Sequence, residues 1–97
     1  DEAAPDAFVL RSIYPNPFNS TVTIDFSLGE ASRVKLAIYD AAGRRVRRLV
    51  SAVRPSGYHR VFWDGRDEAG ALTASGVYLI RLQAGSDTRS RKFTLLR

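Results

Sequence analysis

Residues 63–82, WDGRDEAGALTASGVYLIRL, decide the fold. A strand ends at a large aromatic residue, Trp63, and runs into the dipeptide Asp64-Gly65. A polar loop follows, and a second strand begins at Val77. Trp63 is large enough to fill the middle of a small core. The stretch therefore predicts a long hairpin of a β-sandwich, with Trp63 as a buried anchor.

The loop after Trp63 carries residues that shape turns. Asp64 and Asp67 are short acceptors that can bind backbone N–H groups inside the loop. A calcium loop is the alternative, but the spacing does not fit the Asp-x-Asp-x-Asp-Gly pattern, and Arg66 places a cation among the would-be ligands. We therefore predict turn capping without metal. Glycines that permit positive φ in this loop are Gly65, Gly70 and Gly76.

Alternation of apolar and polar residues predicts strands before this hairpin. In residues 22–28 every second side chain is apolar, and residues 33–39 repeat the pattern. Residues 40–43 form a four-residue hairpin connection, with Gly43 in the left-handed conformation. In the next segment Val46 and Leu49 cannot share a face of a regular strand, which predicts a bulge or a strand that fades near Arg47 and Arg48.

Three later segments complete the pattern of alternating residues. The strand that ends at Trp63 directs His59 and Val61 inward and directs Tyr58 and Phe62 outward. Residues 77–82 send Tyr78, Ile80 and Leu82 inward, and the last strand, residues 88–97, sends Phe93 and Leu95 inward. No window shows helical periodicity. Six or seven short strands with frequent turns predict an all-β antiparallel sandwich over residues 11–97, after a linker over residues 1–10.

Composition excludes several classes of function. There is no cysteine, which rules out disulfides, thiolate metal sites and cysteine nucleophiles. His59 is the only histidine, and no Gly-x-Ser-x-Gly motif occurs, so we predict no enzyme activity and no cofactor. The net charge is +5, but the basic residues are spread over several strands, so we predict no nucleic-acid binding. No apolar run is long enough for membrane insertion.

Three segments, in addition to the loop after Trp63, resemble parts of a known family. Residues 13–19, IYPNPFN, look like the YPNPF segment that opens the C-terminal sorting domains of the type IX secretion system. Residues 38–46, IYDAAGRRV, are similar to a turn of those domains, and residues 91–97, RKFTLLR, resemble their last strand. The loop after Trp63 is similar to that of the immunoglobulin-like module of flagellar hook-capping proteins. Motif positions matched are Pro15, Asn16, Pro17, Asp40, Gly43, Trp63, Asp64, Gly65, Asp67, Gly70, Gly76 and Tyr78.

The resemblance implies an antiparallel immunoglobulin-like β-sandwich of six to seven strands that acts as a non-catalytic C-terminal sorting domain. Such a domain directs secretion or cell-surface attachment of a larger bacterial protein through the type IX system. Its partners would be the outer-membrane secretion machinery and an N-terminal cargo domain of the same parent. The parent would be secreted or on the cell surface, exported through the periplasm of a Gram-negative bacterium. Absence of an initiator methionine and the opening DEAAPDA fit a piece of a longer protein, and the end within a strand fits a natural C-terminus.

Two alternatives remain for the function. One is an accessory module of a secreted enzyme, either a spacer or a carbohydrate-binding module, and the other is a hook-capping-like assembly domain. A carbohydrate binder should show two or three coplanar exposed aromatic side chains. The sequence names only Tyr58 and Phe62, on one strand.

The surface residues expected to contact a partner are mostly cationic. Arginines cluster at residues 44–48, and a second basic cluster lies in residues 89–97. A solvated face is one interpretation, and a contact for the export machinery or for an anionic surface polysaccharide is the other. We expect Lys92 and Arg97 to face solvent and to be available. The predicted partner-binding residues are Lys92, Arg97, Arg91, Arg44, Arg45 and Phe62.

Overall fold

The computed structural model describes residues 7–97, and within that range it contains seven strands and no helix. The strands are β1 Val9–Tyr14, β2 Val22–Leu28, β3 Ser32–Tyr39, β4 Arg45–Arg54, β5 Gly57–Trp63, β6 Gly76–Ala84 and β7 Asp87–Leu95. Sheet A has the order β1-β2-β5 and sheet B the order β4-β3-β6-β7, with every pairing antiparallel. The predicted all-β immunoglobulin-like sandwich is confirmed.

Trp63 lies at the centre of the core between the two sheets, with 1% of its surface exposed. Its ring centroid lies 5.5 Å from that of Tyr78 and 5.8 Å from that of Phe93, in edge-to-face arrangements. The indole Nε1 donates a hydrogen bond of 2.9 Å to the carbonyl oxygen of Arg66. The anchor predicted from the sequence is therefore confirmed, and its one polar atom is bonded to the loop that follows it.

The alternation predicted for β2 holds except at Ser27. Val22, Ile24 and Phe26 are buried against the core, as expected. Ser27 has outward parity but is also fully buried, and its hydroxyl lies 3.4 Å from the carbonyl oxygen of Ala7. The segment that leads into β1 covers this end of the strand, which periodicity within β2 does not indicate.

The bulge predicted in β4 is present, and it occurs twice. The pairing of β4 with β3 skips Leu49 and then Val46, while the residues of β3 continue without a gap. Both skipped side chains pack against the buried core. The two bulges therefore bring apolar side chains three residues apart to the same side of one strand.

The N-terminal boundary of the domain differs from the prediction. β1 begins at Val9, inside the segment expected to be a linker, and Leu10 is 4% exposed. Residues 1–6 of that predicted linker lie outside the described residues. β1 pairs with β2 through a bulge between Leu10 and Ser12, so Arg11 has no partner in the register.

Residues 7–97 contain no helix long and apolar enough to cross a membrane.

Candidate functional site

The loop over residues 64–75 is built on its two aspartates. Asp64 Oδ1 accepts a hydrogen bond of 3.1 Å from the backbone N–H of Arg66. Asp67 Oδ1 accepts two, from the N–H groups of Ala69 at 3.0 Å and Ala71 at 2.9 Å. Both carboxylates therefore satisfy backbone donors in the loop, which confirms the predicted turn capping. Within residues 7–97, no group of three or more acidic, histidine or cysteine side chains is arranged to hold a metal ion.

Gly65 is the point where three parts of the chain meet. Its φ is +74°, a conformation that favours glycine. Its carbonyl oxygen accepts hydrogen bonds from the backbone N–H of Thr73 at 3.0 Å, from the Thr73 hydroxyl at 2.8 Å and from the Arg97 guanidinium at 2.8 Å. The loop is thus closed on itself and joined to the end of the chain.

Arg97 faces solvent as expected, but its side chain is also hydrogen-bonded to the loop, which was not expected. Besides Gly65, its Nε donates a hydrogen bond of 2.6 Å to the carbonyl oxygen of Thr73, and its backbone N–H donates one of 2.8 Å to the Ser75 hydroxyl. The reason is positional. Arg97 lies beyond the end of β7, so strand periodicity does not govern its direction.

The same loop covers part of the outer edge of β4. Glu68 donates its backbone N–H to the carbonyl oxygen of Val46 at 3.1 Å, and its Oε2 accepts the N–H of Arg48 at 2.6 Å. The Arg47 guanidinium adds hydrogen bonds to the Asp64 carboxylate and to the loop backbone. An unpaired strand edge invites pairing with other chains, so this loop protects the bulged half of β4.

The segment over residues 15–18 joins the last strand. The backbone N–H of Phe18 donates to the carbonyl oxygen of Thr94 at 3.0 Å, and the N–H of Leu96 donates to that of Phe18 at 2.9 Å. Asn16 Oδ1 accepts the N–H of Thr94 at 3.0 Å. The peptide bonds before Pro15 and Pro17 are both cis. This segment therefore extends sheet B by a short parallel bridge beside β7.

The turn between β3 and β4 fixes Arg44. Asp40 Oδ1 accepts the N–H groups of Ala42 at 3.0 Å and Arg44 at 2.9 Å, and Gly43 has a φ of +86°. The hydrogen bond from the Arg44 N–H is the main cause that holds the pKa of Asp40 below its usual value. The Arg44 Nε also donates to Asp40 Oδ2 at 3.1 Å, although the side chain is 81% exposed. Arg44 thus belongs to the turn as well as to the surface.

Arg91 closes one side of the sandwich. Its guanidinium donates hydrogen bonds of 2.8 Å to the carbonyl oxygen of Leu10 and 3.3 Å to that of Arg11. Arg89, two residues earlier on β7, places its guanidinium 4.7 Å from the ring centroid of Phe8. Both arginines connect the edge of sheet B to the chain around β1. Arg91, predicted as a partner contact, is exposed and also holds the edge of sheet B to the backbone of β1.

Lys92 and Arg45 are both exposed on the same open surface of the domain. The register places them in one row across the outer face of sheet B, three strand spacings apart, or about 14 Å. Four more cations lie on this face, and within residues 7–97 none of the six forms a salt bridge. We call this surface the basic face, and its residues are Arg33, Lys35, Arg45, Arg48, Arg81 and Lys92.

Phe62 lies on the opposite side of the molecule, on the outer face of sheet A. It is 59% exposed, and Tyr58 on the same strand is 64% exposed. The register adds a third aromatic residue, since Tyr14 and Phe62 both flank Thr23 in one row. We call Tyr14, Tyr58 and Phe62, with the polar residues between them, the aromatic face.

The centre of the aromatic face is a network around Asp25 that the sequence analysis did not identify. Asp25 accepts hydrogen bonds from the Tyr14 hydroxyl at 3.0 Å and from the Arg60 Nε at 2.9 Å. The Arg60 bond is the main cause that lowers the pKa of Asp25. Outward alternation of Asp25 and Arg60 on paired strands is the signal that could have found the pair.

His59 has the inward direction predicted for it. Its ring stacks on the buried Phe26, with 5.1 Å between the centroids, and its Nε2 donates a hydrogen bond of 2.8 Å to the carbonyl oxygen of Pro55. The only histidine is thus a packing residue at the rim of the core.

A family model for the FlgD Ig-like domain matches residues 16–88, three quarters of the chain. The chain belongs to this family. The predicted likeness to the immunoglobulin-like module of hook-capping proteins is thereby confirmed. No curated protein sequence matches this FlgD Ig-like domain.

Solved structures of the same fold include proteins of two systems. FlgD from P. aeruginosa has a TM-score of 0.62 and 26% identity, over 76% of this chain and 59% of that one. PorZ, an essential surface component of the type-IX secretion system of Porphyromonas gingivalis, has a TM-score of 0.62 and 26% identity, over 89% of this chain and 11% of that one.

Dimeric latent PorU from Porphyromonas gingivalis shares the fold over nearly all of this FlgD Ig-like domain. Its TM-score is 0.74 at 23% identity, and the match covers 99% of this chain and 10% of PorU. The domain thus spans about a tenth of PorU or PorZ and about three fifths of FlgD.

Proposed function

We propose that this domain is a non-catalytic module that directs secretion or surface attachment of a larger bacterial protein through the type IX system. An N-terminal cargo domain and the outer-membrane secretion machinery are its proposed partners. The parent would pass through the periplasm and act outside the cell. The similarity to PorZ, a surface component of that system, supports this proposal.

The observation that carries the proposal is the junction between residues 16–18 and residues 94–96. Both segments resemble parts of type IX sorting domains, and they are hydrogen-bonded to each other. The family model ends at residue 88, whereas β7 continues to Leu95. Residues 89–97, beyond the end of that match, include the segment that resembles the last strand of a sorting domain.

The basic face is the surface that we propose the export machinery contacts. Lys92 and Arg45 lie in one row of it, and their head groups have no salt-bridge partner within residues 7–97. Arg91 and Arg97 are bound to backbone carbonyl groups of the domain, so they are less suited to a partner. Clustered cations at an open surface steer and hold an acidic partner.

The test is a reporter fused between a signal peptide and residues 1–97 and produced in a type IX-competent cell. We expect the reporter outside the cell, and retention in the periplasm when Lys92 and Arg45 are both changed to Ser. The matched control changes Arg33 and Lys35 to Ser, which removes two charges from the other end of the basic face and should reduce export less. A full-length fusion that stays in the periplasm contradicts the proposal.

A deletion of residues 92–97 is a weaker test because it removes buried Phe93 and Leu95 along with Lys92. Each variant should therefore show the wild-type denaturant midpoint before its export is measured. Equal export by both double variants would contradict the part assigned to Lys92 and Arg45.

An assembly role is the second candidate, because FlgD from P. aeruginosa shares 26% identity over 76% of this chain. A hook-capping-like domain would bind copies of a filament or hook subunit and would not carry a fused reporter out of the cell. An accessory spacer or carbohydrate-binding module would neither bind such subunits nor carry a fused reporter out of the cell. A fusion that remains in the periplasm while the domain is folded would favour these alternatives.

A further inference from the structure

The aromatic face carries three exposed rings that the fold brings together from two strands. Tyr14 is 41% exposed, Phe62 59% and Tyr58 64%. Tyr14 and Phe62 are separated by two strand spacings, about 10 Å, and Tyr58 and Phe62 by four residues along β5, about 13 Å. The rings therefore surround a patch on the outside of a sheet.

The middle of this patch is polar and held in place. Asp25 is fixed between the Tyr14 hydroxyl and the Arg60 guanidinium, and the side chain of Asp25 keeps 20% of its surface exposed and that of Arg60 60%. A carboxylate with two oxygens and a guanidinium with five N–H groups still have capacity for further hydrogen bonds. The patch thus presents both acceptors and donors in fixed positions.

Arg11 completes the patch because of the bulge in β1. Its guanidinium lies 5.2 Å from the ring centroid of Tyr58, and it has no salt bridge within residues 7–97. Stacking over a ring leaves the in-plane N–H groups of an arginine available for a carboxylate. A depression of about 310 Å³ lies here, lined by Arg11, Asp25, Tyr58, His59 and Arg60.

We propose that the aromatic face binds an acidic polysaccharide that carries carboxylate groups, of the uronic acid type. Sugar rings have apolar C–H faces and hydroxyl-bearing edges, which match flat aromatic rings around an Asp25–Arg60 pair. The charged groups of the patch are Arg11, Arg60 and Asp25, so its net charge is +1, which favours an anionic chain. Arg11 is the group that would bind the carboxylate.

A protein partner fits this surface less well. Interfaces between proteins have an apolar centre and a polar rim, whereas here the charged pair is central and the rings are at the border. The basic face of sheet B is the competing site for any polyanion, but the aromatic rings described here lie on the other sheet. If polysaccharide binding is lost when the rings are removed, the binding site is therefore the aromatic face and not the basic face.

The test is a binding titration of residues 1–97 with three probes: polygalacturonate, which is carboxylated, dextran, which is neutral, and dextran sulfate, which carries charge without carboxylates. We expect polygalacturonate to bind and dextran not to bind. Changing Tyr58 and Phe62 together to Ala should weaken polygalacturonate binding by about tenfold or more, and Arg11→Gln by a similar factor. The paired control, Arg33→Gln with Lys35→Gln, should change it by less than about twofold.

Three results would overturn the proposal. The first is absence of polygalacturonate binding, and the second is equal binding of dextran. The third is an aromatic double variant that binds normally while the basic-face control loses affinity, since the site would then be sheet B. The outcome is independent of reporter export, because the aromatic face does not include Lys92 or Arg45.

Discussion

The guanidinium of Arg97 lies 2.8 Å from the carbonyl oxygen of Gly65, a residue 32 positions earlier in the chain. This hydrogen bond joins the loop after Trp63 to the segment after β7. A Cβ atom added to Gly65 would lie 2.8 Å from the Arg97 Nη2. Local conformation at Gly65 and the position of Arg97 are therefore coupled.

Gly65→Ala should destabilise the domain more than Gly43→Ala does. Both glycines have positive φ, +74° and +86°, but nothing lies within 4 Å of a Cβ at Gly43. Gly43→Ala should therefore lower the free energy of unfolding by about 1–2 kcal/mol, the cost of left-handed backbone alone. Gly65→Ala should cost more because it also displaces the Arg97 guanidinium. Equal shifts of the urea midpoint would contradict the coupling. In an Arg97→Ala background the extra cost at Gly65 should disappear.

Trp63→Ala should remove most of the stability of the domain. The side chain is 1% exposed and packs against three aromatic rings, so its loss should cost about 3–5 kcal/mol. The adjacent Phe62 is the matched control, because it is 59% exposed, and Phe62→Ala should change the free energy of unfolding by less than about 0.5 kcal/mol. Denaturant unfolding measures both. Similar midpoints for the two variants would show that the inward direction of Trp63 is wrong.

Asp25→Asn should destabilise the domain at neutral pH but not in acid. The hydrogen bond from Arg60 lowers the pKa of Asp25 in the folded state. The stabilisation is therefore complete above the unfolded value, about 4, and is lost as the pH falls through the lowered folded value. We expect a difference of about 0.5–1 kcal/mol at pH 7 that shrinks toward pH 2.

Glu30→Gln is the control for this pH series. Glu30 is exposed in the turn between β2 and β3, so its variant should follow the wild type at every pH. A deficit of Asp25→Asn that is constant from pH 7 to pH 2 would contradict the role of the ionised carboxylate.

Thermal unfolding should not respond to calcium or to a chelator. The carboxylates of Asp64 and Asp67 accept backbone N–H groups of the loop, which stabilises the turn without an ion. Asp67→Ala should lower the free energy of unfolding by about 0.5–1.5 kcal/mol because two exposed backbone N–H groups exchange their carboxylate acceptor for water. That loss should be the same with and without calcium. A midpoint that rises strongly in millimolar calcium would contradict turn capping.

Local patterns in the sequence were sufficient for the strands and for most of the core. Trp63 and the residues of β2 other than Ser27 follow period-two alternation, and the failure of that alternation at Val46 and Leu49 predicted a bulge, of which the structure has two. The contact of Arg91 with β1 was not predicted, although the parity of its strand indicates it. Arg91 has the same parity as Phe93 and Leu95, which places its side chain toward the other sheet, and there it binds the backbone of β1.

Other contacts had no local signal. The hydrogen-bond partners of Arg97 lie 24 and 32 residues away and in a loop, so no spacing rule indicates them. The direction of Tyr14 depends on the bulge at Arg11, because unbroken alternation from buried Leu10 would turn Tyr14 inward. Tyr14 could therefore be added to Tyr58 and Phe62 only from the register of sheet A.

The bridge between Phe18 and Leu95 also determines when the domain can fold. Phe18 is buried in the core, and its backbone is paired with residues almost eighty positions later. Long loops must close before such contacts form, and β-sandwiches rich in them fold on the order of milliseconds to seconds. During synthesis from the N-terminus, Phe18 and the edge of β6 lack their backbone partners until β7 has been made. The fold therefore cannot be completed until the chain has been made as far as residue 96.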